Sequence, residues 1–108
     1  MKQGEIVLAS IPQADGHIKN RPILLLRKLP KYDDFLVCGI STQLHQIIEN
    51  FDELILPNLE NHLKQPSLIR LTFLAVIPQE QIRGTLGKIP DDRHRKLLNR
   101  LADYLKQP

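Results

Sequence analysis

The sequence predicts a mainly β protein, a small β-barrel followed by a C-terminal amphipathic helix. Three observations carry that prediction. Short apolar segments, bounded by Pro, Gly, Asp and Asn, fill the first two-thirds of the chain. One of them, Ile23-Leu24-Leu25-Leu26, is continuously apolar, as expected of a strand covered on both faces in the middle of a barrel wall. Beyond Pro90 the period changes, and Leu97, Leu98, Leu101 and Leu105 recur at helical spacing.

The first strand is expected over residues 5–11, between Gly4 and Pro12. Residues 12–20 hold Pro, Asp, Gly and Asn and read as a loop with a turn at Asp15-Gly16. Residues 22–29 form the second strand and 30–34 a turn. Residues 35–41 form the third strand, which ends in the polar group Ser41-Thr42-Gln43. A short helical turn fits 45–50, and 51–56 alternates like an exposed edge strand. Residues 58–65 are a polar connection of no clear period. A long strand runs over 67–77 until Pro78 stops it, and a last strand covers 81–88, where Gly84 and Gly87 permit a bend. Asp91 and Asp92 then stand where a helix dipole favours acids. Arg93, Arg95, Lys96 and Arg100 fall largely off the leucine stripe and read as a solvated outer face.

The 108 residues make one domain, 1–108, with 42% hydrophobic and 25% charged residues, as in an ordinary globular protein. Three Phe, two Tyr and no Trp give little support to a binder that stacks successive bases on aromatic platforms. The net charge is +3, with a pI near 9.2, which helps a polyanion approach without demanding one. Lys19, Arg21, Arg27, Lys28 and Lys31 form a stretch without acids, and Glu49, Asp52, Glu53 and Glu60 one without Lys or Arg. Two solvated faces are the plain reading of that segregation. Cys38, the single cysteine, excludes an internal disulfide and sits in an apolar run that suits a buried, inert thiol. Four dispersed His in no paired spacing argue against a metal site, and no cofactor motif is visible. No apolar segment approaches the ~20 residues that span a bilayer, and no apolar leader opens the chain, so a cytoplasmic protein is expected.

The order of features is more specific than any one of them. Gly4-Glu5-Ile6-Val7 opens the first strand, and Arg21-Pro22 precedes the aliphatic run. Ile40-Ser41-Thr42-Gln43 ends the third strand, Ser67 opens the long one, and Gly87-Lys88-Ile89 leads into the helix. Along nearly the whole chain this series resembles the MazF/PemK family of type II toxin–antitoxin toxins. The resemblance implies an SH3-like barrel with a C-terminal helix, usually a homodimer with RNA lying across the subunit interface. It implies metal-independent cleavage of single-stranded RNA and a cognate antitoxin that blocks the groove. It places the catalytic pair on Arg21 and Ser41, where Ser41 stands in place of the family's usual threonine. The family often carries an acidic or polar pair on the long strand and an Arg soon after; the matching residues here are Thr72-Phe73 and Ala75.

The chemistry fits those residue types. Attack of a ribose 2′-OH on its own phosphate builds charge on the phosphoryl oxygens, which a guanidinium stabilises bidentately. A hydroxyl such as that of Ser41 positions a phosphate oxygen or passes a proton, or else ends its strand by local hydrogen bonding. Further RNA contacts are expected from His17 and Lys19 in the loop before Arg21, and from Thr42, Gln43 and His45 after the third strand. Four of the five have a plainer alternative: His17 and His45 as exposed histidines, Thr42 as a strand end and Gln43 as a turn cap. His62 and His94 read as surface residues. A runner-up function is a non-catalytic toxin or binding protein on the same barrel, in the manner of the related gyrase poisons, or a plain RNA-binding barrel.

Overall fold

The computed structural model describes residues 1–12 and 15–108. Its strands are β1 (Glu5–Pro12), β2 (Ile18–Lys28), β3 (Asp34–Ser41), β4 (Glu53–Ile55), β5 (Ser67–Pro78) and β6 (Ile82–Lys88), followed by the helix α1 (Asp91–Lys106). Short 3₁₀ turns stand at Leu44–Gln46 and Gln79–Gln81. The strands form one antiparallel sheet in the order β4-β5-β3-β2-β1-β6.

The aliphatic run of β2 explains how the sheet is covered. Ile23, Leu24, Leu25 and Leu26 are all buried, and alternation sends them to opposite faces. Leu24 and Leu26 join Ile6, Cys38, Ile40, Ile69 and Leu71 in a core that α1 closes with Leu97 and Leu101. Ile23 and Leu25 join Val7, Ala9, Phe35, Val37 and Ile77 on the other face. Ile55 of β4 shares the first core with Ile6 of β1, so the sheet curls until its two ends enclose the same apolar centre.

The curl is completed by the connection after β4 rather than by a sixth ladder. The connection after β4 crosses to β6, where Lys88 N–H donates to the Glu60 carbonyl (3.1 Å) and the His62 ring to that of Leu86 (2.7 Å). Asn61 anchors it: its fully buried side chain accepts from the N–H groups of Asn58 and Leu63 and donates to Leu56 O (2.9 Å). The approach is so close that a Cβ on Gly87 would lie 2.5 Å from the Glu60 carbonyl oxygen and closer still to that of Asn61. The polar connection of unclear period is therefore the barrel's clasp.

Several boundaries differ from the sequence reading. β2 begins at Ile18, so Arg21 lies inside a strand, opposite Ala9, instead of at its start. Pro22 is tolerated there because β2 pairs with β3 only from Ile23 onward, leaving its other side open, where a missing N–H breaks no ladder. The turn expected at Asp15-Gly16 is present; Gln13 and Ala14 of the same loop lie outside the described residues. The helical turn shrinks to Leu44–Gln46 and the edge strand to Glu53–Ile55.

The helix is bound more firmly than a solvated basic face would be. Arg93 Nε meets Glu53 Oε2 at 2.5 Å, and its Nη2 donates to Leu54 O (2.6 Å). Arg100 donates to Phe51 O (3.0 Å) and Glu53 Oε1 (3.2 Å). Together with Asp52, discussed below, these contacts absorb half of the acidic segment, which is why no simple acidic face forms. Helix residue His94, read as a surface residue, is buried and donates from Nε2 to the Leu26 carbonyl (2.8 Å). Leu105, counted in the apolar stripe, is 69% exposed because α1 outruns the core.

Cys38 is fully buried in the helix-side core. Burial first, and the Asp52 charge second, push its thiol from an ordinary 9.0 up to about 12. Native protein at pH 8 is therefore expected to resist alkylation that goes to completion in urea. A raised pKa means that the fold holds this proton more tightly than the unfolded chain does. Its contribution to stability is full below pH ~9 and is lost as pH rises toward ~12. Urea midpoints should fall over that range, and less steeply in Cys38→Ala.

Candidate nucleic-acid groove

Two features of the sheet create a groove on the face away from α1. The first is the pairing of β2 with β3. The ladder ends where Ile23 stands opposite Gly39, and Arg21 and Ser41, each two residues beyond that pair, both line the groove. The second is a bulge in β5: one step along β3, from Cys38 to Gly39, corresponds to a step from Leu74 to Arg70. The extra residues throw Phe73 out over Gly39, where a Cβ would meet the ring at 3.3 Å. Glycine thus makes room for an aromatic side chain that is 60% exposed.

The groove has a volume of about 330 Å³ and is lined by Arg21, Ser41, Arg70 and Phe73 over an apolar floor that includes Ile23, Val37 and Ile77. Two guanidinium groups, a hydroxyl and an aromatic ring therefore converge on one concavity. Neither a carboxylate nor an imidazole is among its lining residues. Ser41 Oγ accepts the Gln43 N–H (3.1 Å), a local strand-ending bond that leaves the hydroxyl proton available to a ligand.

Arg70 is held from behind. The Asp52 side chain is fully buried and accepts from the N–H groups of Ile48 (3.0 Å) and Thr72 (3.2 Å) and from Thr72 Oγ1 (3.1 Å). Arg70 Nε lies 3.7 Å from Asp52 Oδ2, and its two terminal nitrogens donate to Gln46 Oε1 (3.0 Å) and Thr72 Oγ1 (3.3 Å).

Over residues 2–105 the sequence matches the family described as PemK-like, MazF-like toxin of type II toxin–antitoxin system. The chain belongs to this family. Among solved structures it is similar to the Mycobacterium tuberculosis toxin MazF-mt6, with a TM-score of 0.72 and 20% sequence identity over 96% of this chain and 98% of that one. That similarity bears on the fold: a six-stranded antiparallel sheet with one C-terminal helix, as in MazF toxins. No curated protein matches.

In this MazF-like chain the groove gathers Arg21 and Ser41 and leaves the other expected contacts around it. Lys19 lies on β2, two residues from Arg21 and on the same face, but beyond the lining. His17 sits in the exposed turn, its Nδ1 3.2 Å from Asp15 Oδ2. The His17 N–H, then its ring, hold the Asp15 carboxyl below its usual 3.8. Thr42 and Gln43 occupy the exposed bend after Ser41, and His45 the exposed 3₁₀ turn. Among the described residues no three of His, Cys, Asp and Glu gather as a metal-binding group, and no helix is long and apolar enough to cross a membrane. Arg70 and Asp52 escaped the sequence reading. Arg70 had a signal, as the single charge in the apolar pattern of 67–77, whereas Asp52, beside Glu53 in 51–56, had none.

Proposed function

We propose that this MazF-like toxin is an endoribonuclease that cleaves single-stranded RNA in the groove between β2, β3 and β5. The observation that carries the reading is the convergence of Arg21 and Ser41 through the β2–β3 register, with Arg70 on the β5 side. In the reaction a ribose 2′-oxygen attacks its own phosphorus and the 5′-oxygen of the next nucleotide leaves. The products are a 2′,3′-cyclic phosphate and a 5′-hydroxyl. Arg21 is the main stabiliser of the charge that builds on the phosphoryl oxygens, and it does so with fixed, planar donors. The Ser41 hydroxyl donates a hydrogen bond to a phosphate oxygen and fixes its position. Phe73 offers a face to a neighbouring base. Lys19, His17, Thr42, Gln43 and His45 flank the groove as contacts for RNA on either side of the reacting phosphate.

The partners follow from the same surface. β4 pairs only with residues 67–69 of β5, so beyond the Asp52–Thr72 contact no strand among the described residues pairs with the outer edge of β5, where Leu74 and Val76 are exposed. We assign that edge to a second copy of the chain, which extends the groove across a homodimer. The family points to a cognate antitoxin, and an acidic segment laid along the groove would exclude RNA.

The test is to incubate the protein with a long single-stranded RNA in EDTA. Discrete fragments ending in 2′,3′-cyclic phosphate are expected. A non-catalytic binding barrel is the second reading, favoured by a lining without imidazole or carboxylate. Intact RNA that nevertheless shifts in a gel would establish it.

A further inference from the structure

We infer that Asp52 is a positioning residue that holds Arg70 in the groove as a second phosphate-binding guanidinium, an inference that rests on the RNA reading above. Asp52 does not line the groove, and its side chain is fully buried. A buried carboxylate is retained where it organises donors, and this one organises three donors from two segments. It takes the Ile48 N–H from the segment after the 3₁₀ turn, the Thr72 N–H from the β5 bulge, and the Thr72 hydroxyl. The same hydroxyl accepts from Arg70 Nη2, and Gln46 of the 3₁₀ turn accepts from Nη1. Thr72 and Asp52 therefore grip one flank of the guanidinium while the groove receives another.

The grip is incomplete in a telling way. Arg70 Nε is buried and has no hydrogen-bond partner among the described residues, although Asp52 Oδ2 lies 3.7 Å away. A buried N–H of a charged group without an acceptor is costly. A small rotation of the guanidinium toward Asp52 closes that bond, and it turns the terminal nitrogens relative to the groove. Asp52 in this scheme touches no RNA and acts only through Arg70.

The sign of one substitution separates this role from the alternatives. Asp52→Asn removes a negative charge from beneath an RNA site, and Coulomb attraction alone would then tighten binding. A positioning role weakens it. The experiment measures anisotropy of a labelled, uncleavable 2′-O-methyl RNA pool against wild type, Arg70→Gln, Asp52→Asn and the double variant over a salt series. Arg70→Gln should weaken binding several-fold and make the log–log salt slope shallower by about 0.7, the value for one lost contact to a single strand. Asp52→Asn should do nearly the same, and in the Arg70→Gln background it should cause no further loss. Equal weakening by Asp52→Asn in both backgrounds means a structural role only and overturns the inference, as does tighter binding. Thermal unfolding reports whether each variant is folded. Should Asp52→Asn fail to fold, Thr72→Val removes the shared hydroxyl and is expected to weaken binding only while Arg70 is present. Wild type that binds no RNA overturns the RNA reading and this inference together. Wild type that binds RNA with Arg70→Gln unchanged overturns the inference alone.

Discussion

Arg21→Ala is expected to lower RNA cleavage by at least ~100-fold, the scale for removing one preorganised donor to a developing oxyanion. The loss should fall on kcat, because the guanidinium is needed most where charge peaks. Arg21 is exposed on a strand whose partner residue is Ala9, so its truncation opens no cavity. The melting temperature should accordingly move by no more than about 5 °C, as for surface substitutions worth under ~1 kcal/mol. Arg21→Lys keeps the charge but loses the planar fork, and a partial loss of rate is expected. Ser41→Ala should cost less than Arg21→Ala, since a neutral donor stabilises an anion less than a cation does. The assay follows release of 2′,3′-cyclic phosphate ends in EDTA, with a melting curve for each variant. A variant that melts normally and cleaves at the wild-type rate would remove Arg21 from the chemistry.

Gly87→Ala is expected to be the most damaging single methyl in the chain. A Cβ there would press into the backbone of Glu60 and Asn61, and backbone cannot step aside as a flexible side chain can. The clasp would have to lift, taking with it the Lys88-to-Glu60 and His62-to-Leu86 hydrogen bonds. A cost of about 3 kcal/mol follows from overpacking alone. For a domain of this size that is a fall in melting temperature of roughly 10–20 °C. Gly84→Ala is the control: its Cβ would meet nothing within 4 Å, and it should melt close to wild type. Similar behaviour of the two variants would show that the clasp adds nothing to stability.

Local composition made much of this fold legible. The aliphatic run of β2, the Asp-Gly turn and the leucine period of α1 each belong to one segment, and each stands where expected. What escaped were features made by pairs of segments. Residues 18–20 look like loop, and only pairing with β1 turns them into strand. Arg93 and Arg100 read as solvated because Glu53, their partner, lies some 40 residues away in sequence. His94 reads as surface until the Leu26 carbonyl and the core beneath it are in place. The site divides the same way. Arg21 and Ser41 carry a motif, whereas Arg70 depends on a bulge in β5 and on a carboxylate from another loop, which no linear pattern records.

The order in which these elements leave the ribosome has its own consequence. β1 needs β6 as its outer neighbour, and the core around Ile6 is finished by Leu97 and Leu101 in the last element of the chain. Such distant pairings form late in folding. A nascent chain that already carries Arg21, Ser41 and Arg70 still lacks the scaffold that holds them together. The groove therefore rests on β6 and α1, which contribute nothing to its lining, and a fragment without them is expected to lose the site.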